Sequence, residues 1–189
     1  MIVTLQDPQG ATRRVLLARR PTDPPLVGDE VLAQWIDFPS REQKFRWIRD
    51  RAMEDAHHPA VLRAAARFAR LPRPAREAAI LRFVQLAIDY VDDPEDANGH
   101  RIQILDQAPV ALERGIGKCT AKASLFLALC LATEVPCKLA PVFRGLFGFP
   151  HVRNLVQGID GRWRIADACI VNSRIGWLPR HPRLHALAA

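Results

Sequence analysis

The segment GIGKCTAKASLFLALC, residues 115–130, places a cysteine between a glycine-containing turn and a run of apolar residues. From Cys119 to Leu131 the only charged residue is Lys122, so the segment predicts a helix that is apolar nearly all round and runs through the core. Pro136 marks its end. Cys119 is then either a small buried residue or a nucleophile, because free cysteine is often buried and a helix N-terminus lowers the pKa of a thiol.

Length and cysteine usage limit the class of protein. The 189 residues suffice for one domain, or one domain with an appendage, to bury a core without disulfides or metals. The four cysteines form no CxxC pair and no Cys/His spacing typical of zinc sites, so we expect no metal and no cofactor. Without a signal-peptide pattern or a run of 18 apolar residues, we expect a cytoplasmic protein with free thiols and no membrane association. The sequence does not indicate an oligomeric state.

The chain is basic, with a formal net charge of +7. Such a charge is compatible with an anionic partner such as nucleic acid. The arginines, however, are scattered along the sequence without the interleaved aromatic residues of a stacking platform. We therefore interpret the charge as a solvated basic surface and expect no nucleic-acid partner.

Secondary structure follows from periodicity and turn residues. The segments IVTLQ and RRVLLA predict a hairpin around Asp7-Pro8-Gln9-Gly10, and the three prolines within residues 21–25 predict a linker. Helices are predicted after Ser40 to about Met53, over about Pro59 to Arg70, and over RPAREAAILRFVQLAIDYV, residues 73–91. CKLAPVF predicts a strand, and HVRNLVQGIDGRWRIAD predicts two strands around Asp160-Gly161, with Trp163 in the sheet core.

A cysteine nucleophile needs a base and a group that orients the base. His151 opens the first strand of the C-terminal hairpin and Asp167 closes the second. The backbone N–H of Cys119, unpaired in the first helical turn, is placed to donate to a developing oxyanion.

This order of residues resembles the transglutaminase-like superfamily, which is papain-like in architecture. The matching motifs are GIGKCTAKASLFLALC for the nucleophile, PHVRNLV for the histidine and DGRWRIAD for the acid, with TEVPCKLAPVF similar to the connecting segment. The resemblance covers residues 72–167, and residues 1–70 show no such likeness. Lys118 departs from the acidic residue that many members carry before the nucleophile, but a positive neighbour favours the thiolate.

The resemblance implies an α+β fold in which a central nucleophile helix packs on a small antiparallel sheet, preceded by an N-terminal hairpin and helices. We expect an N-terminal extension over 1–71, a catalytic core over 72–178 and a disordered tail over 179–189. The implied chemistry is a Cys119, His151 and Asp167 triad that hydrolyses a peptide or side-chain amide of a protein or peptide substrate through a thioester. Acyl transfer by a transglutaminase or deamidase is one alternative, and a catalytically silent scaffold or binding module that uses its basic surface is another.

The second oxyanion donor is open. In the family an aromatic residue upstream of the cysteine takes this role, and Tyr90 is the only tyrosine of the chain. Tyr90 either donates to the oxyanion or caps the core edge with its hydroxyl in water. Gln103 and Gln107 are further candidates.

The turn at Asp160-Gly161 decides whether the triad can form. A two-residue turn would set His151 and Asp167 on opposite faces of the hairpin. A three-residue turn with Gly161 in the left-handed conformation pairs Gly158 with Arg162 and brings them to one face. That register also places Arg153 opposite Asp167, where a simple salt bridge is the structural alternative.

Overall fold

Helices and short strands make up the part of the chain that the structure, a computed structural model, describes: residues 2–6, 12–16, 41–93, 107–142 and 151–178. The strands are β1 (Ile2–Gln6), β2 (Thr12–Leu16), β3 (Asp89–Tyr90), β4 (Ile116–Gly117), β5 (Cys137–Val142), β6 (His151–Gln157) and β7 (Trp163–Ala166). The helices are α1 (Arg41–Asp55), α2 (Pro59–Ala65), α3 (Arg73–Ala87), α4 (Ala108–Arg114) and α5 (Cys119–Ala132).

Helix α5 is the centre of the fold, as its apolar sequence predicts. Every residue from Cys119 to Cys130 is buried. Helices α1 to α4 pack around it, and the antiparallel sheet in the order β5-β6-β7 covers its remaining side. The α+β architecture with a central helix on a small antiparallel sheet is therefore confirmed. Because α1 and α2 also pack on α5, the core includes residues N-terminal to position 72.

The helix predicted over residues 73–91 ends earlier, at Ala87, and that part of the prediction is wrong. Ile88 is extended, and β3 instead pairs in parallel with β4. Asp89 N donates to Gly115 O at 2.8 Å. Long-range pairing therefore overrides the helical periodicity and brings Tyr90 beside Gly117, two residues before α5 begins.

Two other helices also differ from the sequence-based expectation. Helix α2 ends at Ala65 and not at Arg70, because residues 66–70 form tight turns such as Phe68 N to Ala65 O, 2.9 Å. Helix α4 was not predicted; the short APVALER segment lacks a periodic pattern long enough to identify.

The register of β6 and β7 contains the predicted bulged turn. Gln157 pairs with Trp163, and Gly158 N donates to Arg162 O at 2.9 Å, which leaves three residues in the turn. Gly161 has a φ of 76° and donates its N–H to Gly158 O at 2.9 Å. The register that aligns His151 with Asp167 is thus confirmed.

Trp163 does not lie in the sheet core. Val156 and Ala166 are buried on the face of the sheet that covers α5, and successive strand residues alternate between faces. Trp163 points to the other face, is 42% exposed and stacks beneath Lys138 Nζ, 4.1 Å from the ring centroid. A cation–π contact on the outer face takes the place of the expected core packing.

Strands β1 and β2 pair antiparallel from Ile2↔Leu16 to Gln6↔Thr12, which confirms the N-terminal hairpin. Four of the predictions lie outside the described residues: the linker over residues 21–25, the Ser40 cap, Gln103 and the tail over 179–189. None of the helices in the described ranges has both the length and the apolar character needed to cross a membrane.

We predict that Gly161→Ala destabilises the protein by about 1–2 kcal/mol, since an L-residue with a side chain is strained at positive φ. Gly161→Asn should cost less, because asparagine tolerates the left-handed region. In the described part of the chain no atom outside the neighbouring residues lies within 4 Å of a Cβ added at this position, so we expect no contribution from a steric clash. Urea unfolding of the two variants measures both values, and equal losses would contradict the conformational explanation.

Candidate active site

Cys119 lies at the N-terminus of α5, where the preceding strand β4 packs closely against the first turn of the helix. Cys119 is the first helical residue and is 7% exposed. Just before it, a Cβ added at Gly117 would lie 2.6 Å from Ala121 Cβ, closer than two carbon atoms can approach. Because glycine has no Cβ, the backbone at residue 117 can pack against the first turn of α5.

The second part of the site is the buried pair of His151 and Asp167. His151 Nε2 lies 2.8 Å from Asp167 Oδ2, and the side chains are 5% and 2% exposed. The other carboxylate oxygen, Oδ1, accepts the backbone N–H of Cys169 at 3.0 Å. Both carboxylate oxygens therefore have a donor. Within the described ranges the ion pair of Asp167 is formed with His151 and not with Arg153, so the structural alternative is not observed.

The imidazole of His151 also hydrogen-bonds the thiol of Cys119. Since Nε2 is engaged with Asp167, Nδ1 is the nitrogen available to the sulfur. The structure thus brings Cys119, His151 and Asp167 together in the order that the sequence predicted, from two strands and the end of the core helix.

The charges of this group support one another. Burial by itself would raise the pKa of Cys119, but the hydrogen bond and positive charge of His151, with Lys118 and the backbone N–H of Val152, lower it below that of an ordinary thiol. Burial would lower the pKa of His151, but hydrogen bonds and negative charge from Asp167 and Cys119 raise it to about 9. The favoured form is therefore a thiolate beside an imidazolium.

Lys118, the residue that departs from the family pattern, forms a salt bridge with Asp93 in which both side chains are largely buried. Its positive charge also lowers the pKa of Cys119. The lysine therefore acts in the direction that the sequence predicted and favours the charged form of the thiol.

The oxyanion candidates lie at different places. Tyr90 packs in the same apolar cluster as Cys119, and burial, followed by the charges of Cys119 and Cys169, raises the pKa of its hydroxyl. The phenol therefore stays a proton donor close to the thiol. Gln107 precedes the first residue of α4 without a side-chain capping bond. It lines a cavity with Thr120 and Trp47, and Thr120 lies about 100° around α5 from Cys119. Tyr90 is the better placed of the two, while Gln103 lies outside the described residues.

Cys169 is a component that the sequence analysis missed. Donor atoms of Cys169, His151 and Asp167 lie within 4.8 Å of one another, and all three residues are buried. Sulfur, imidazole and carboxylate are ligands that zinc accepts, but here the imidazole and carboxylate bind each other directly. The Asp-x-Cys spacing was the available signal, because a residue two positions after an aspartate often donates its N–H to that side chain.

No family model matches the chain, and no curated protein does. Among solved structures, the chain is similar to one described as "a Putative Cysteine Protease from Cytophaga hutchinsonii", with 21% identity and a TM-score of 0.42 over 69% of this chain. It is also similar to one described as "a TGase", with 16% identity and a TM-score of 0.42 over 80% of this chain. The match spans only 39% and 38% of those two chains.

We predict that iodoacetamide near pH 6 modifies Cys119 faster than the other three cysteines, because alkylation requires thiolate. The pair of Cys119 thiolate and His151 imidazolium persists over the pH range between the lowered pKa of Cys119 and the pKa of His151, about 9. In contrast, burial raises the pKa values of Cys130 and Cys169. Peptide mass spectrometry gives the rate at each site.

His151→Ala should shift the alkylation profile of Cys119 to higher pH, since it removes the hydrogen bond and the positive charge that stabilise the thiolate. Cys137, which is partly exposed, serves as the reference thiol in the same sample. An unchanged profile in His151→Ala would show that the imidazole does not activate the sulfur.

Proposed function

We propose that the protein is a cysteine-dependent hydrolase that cleaves a peptide or side-chain amide through a thioester. The observation that carries the proposal is the buried chain of hydrogen bonds from Cys119 through His151 to Asp167. A thiol with a lowered pKa, beside an imidazole that is itself oriented by a carboxylate, is the arrangement that an activated cysteine needs. The resemblance of residues 72–167 to the transglutaminase-like superfamily supports the same assignment.

The proposed reaction has two steps. In the first, the Cys119 thiolate attacks the amide carbon, and the imidazolium of His151 gives its proton to the leaving amine as the C–N bond breaks. In the second, neutral His151 takes a proton from water, whose oxygen attacks the thioester and releases the acid and the Cys119 sulfur. Asp167 keeps the imidazole oriented and stabilises its charged form in both steps.

The developing oxyanion requires donors near the sulfur. The backbone N–H of Cys119 belongs to the first turn of α5 and has no partner within the helix. Tyr90 is the second donor that we propose, because it packs with Cys119 and keeps its proton. This assignment replaces the role at the core edge that the sequence also allowed.

Water is the acceptor that we propose, and protein or peptide is the substrate. The alternative of acyl transfer shares the first step, and differs only in whether an amine replaces water in the second. The extension proposed for residues 1–71 contributes α1 and α2 to the packing around α5, so it supports the nucleophile helix.

The basic surface gives little support to a nucleic-acid partner. Several exposed arginines of the described ranges lie beside acids, including Arg46 with Glu42, Arg49 with Asp50, and Arg164 with Asp160. Others bond backbone carbonyls, as Arg76 does with Thr133 O at 2.7 Å. These contacts disperse the positive charge over the surface, and we propose that it acts in solubility.

We predict that Cys119→Ala lowers the rate of amide cleavage by about 10⁴-fold or more, because it removes the nucleophile. The assay measures release of amine from a panel of peptides and side-chain amides. Circular dichroism should show an intact fold. Cys137→Ala is the matched control and should retain activity. Cys137 begins β5, which follows the C-terminal end of α5, whereas Cys119 lies at the N-terminal end of that helix.

Full activity in Cys119→Ala, on any substrate that the wild type cleaves, would contradict the proposal. Adding a primary amine to the assay separates the two acyl-transfer outcomes: hydrolysis yields the free acid, and transamidation yields the amine adduct. Absence of both products, together with equal alkylation of all four cysteines, would favour the silent scaffold.

We predict that duplex DNA binds weakly and that the binding collapses as salt is raised, because dispersed charges give only counterion release. Fluorescence anisotropy at increasing salt measures this. Tight, sequence-dependent binding at physiological salt would promote the binding-module alternative over the hydrolase.

A further inference from the structure

A buried amide lies behind the acid of the site. Gln85, near the end of α3, is 1% exposed, and its side-chain hydrogen bonds within the described ranges go to the loop after β7. Its side-chain Nε2 has two N–H donors that four acceptors share: Ile170 O at 2.8 Å, Ser173 Oγ at 3.0 Å, Ser173 O at 3.2 Å and Asp167 O at 3.5 Å. One side-chain amide therefore hydrogen-bonds several backbone carbonyls of the loop that begins at Asp167.

Ser173 extends this contact to the acid itself. Its hydroxyl donates to Asp167 O at 2.8 Å while accepting from Gln85, and Ser173 is 5% exposed. The backbone carbonyl of Asp167 thus accepts hydrogen bonds from Gln85 and Ser173. Its side-chain carboxylate binds His151 and the N–H of Cys169. Few conformations of this aspartate satisfy all of these partners at once.

The same glutamine is tied to the nucleophile helix. Lys122, one turn after Cys119, is fully buried, and its Nζ donates to Ile88 O and to Gln85 O, the latter at 3.4 Å. A buried ammonium needs such partners, because an unpaired charge in the core is costly. Through its backbone Gln85 therefore contacts α5, and through its side chain it contacts the loop of Asp167.

We infer that Gln85 is a positioning residue for the proposed site: it fixes the loop 167–173 against α5 so that Asp167 meets His151 at hydrogen-bonding distance. The inference rests on the proposed function for its chemistry. Gln85 acts through Asp167, because its side-chain hydrogen bonds go to the loop of the acid. Without its amide, the carbonyls of Ile170 and Ser173 lose a buried donor, and the aspartate gains freedom to move away from the imidazole.

The test uses Gln85→Met, which keeps the length of the side chain and removes its donors. The readout is the rate of Cys119 alkylation by iodoacetamide as a function of pH, which needs no substrate. A displaced Asp167 stabilises the imidazolium less, so the thiolate forms only at higher pH. We expect the profile to move to higher pH, and the rate on its acid side to fall about tenfold for each unit of movement.

Thr133→Val is the matched control, because Thr133 is also buried and also donates to backbone carbonyls, at the other end of α5. It should lower the melting temperature without moving the alkylation profile. If Gln85→Met lowers the melting temperature and likewise leaves the profile unmoved, Gln85 is only structural and the inference is overturned.

Ser173→Ala provides a second variant, should Gln85→Met fail to fold. It removes the hydroxyl between the amide and Asp167 O, and it should move the profile in the same direction by a smaller amount. An unmoved profile there also overturns the inference. Failure of the proposed function is distinguishable, because Cys119 of the wild type would then show no preferential alkylation at low pH.

Discussion

The hydrogen bond between His151 and Asp167 depends on the register of a short hairpin. Strand residues alternate between faces, so a turn one residue shorter would send the two side chains to opposite sides of the sheet. Gly161, at a φ of 76°, allows the three-residue turn that keeps them together. The acid and the base are 16 positions apart in sequence. Their meeting is therefore fixed by backbone geometry at the tip of the hairpin, remote from the thiol.

The site also requires charges to be stable inside the core. Cys119, His151 and Asp167 are all buried, and Lys122 lies fully buried on the same helix. Isolated charges there would be costly, but each group has partners: thiolate with imidazolium, imidazolium with carboxylate, and ammonium with the carbonyls at the end of α3. Removal of His151 would leave the thiolate and the carboxylate buried without the positive charge they share, whereas removal of Lys122 would leave only neutral carbonyls. Cys119, His151 and Asp167 consequently behave as a unit, and their substitutions should not be additive.

Sequence alone predicted the parts of this arrangement that depend on local pattern. The apolar run 119–131 gave the core helix, and Asp160-Gly161 limited the hairpin to two registers. The errors arose where distant segments compete with local preference. Helical periodicity continued through Tyr90, but pairing with residues 116–117 converts that end into a strand. Trp163 was assigned to the core by residue type, whereas the pleat places it on the outer face. The contacts of Gln85 involve backbone groups of a distant loop, for which side-chain patterns hold no signal.

The position of the thiol on α5 has a mechanical consequence. Helices α1 to α4 and the strands β5 and β6 all pack on this one helix, so the element that carries the thiol is constrained on several sides. The imidazole comes from the neighbouring sheet, whose strand β6 is joined to α5 by the bond from Asn154 Nδ2 to Ala123 O, 3.0 Å. The aspartate comes from a buried loop that lies outside the helices and strands. The position of the acid in the proposed site therefore depends on side chains that bind this loop, the buried amide of Gln85 and the hydroxyl of Ser173.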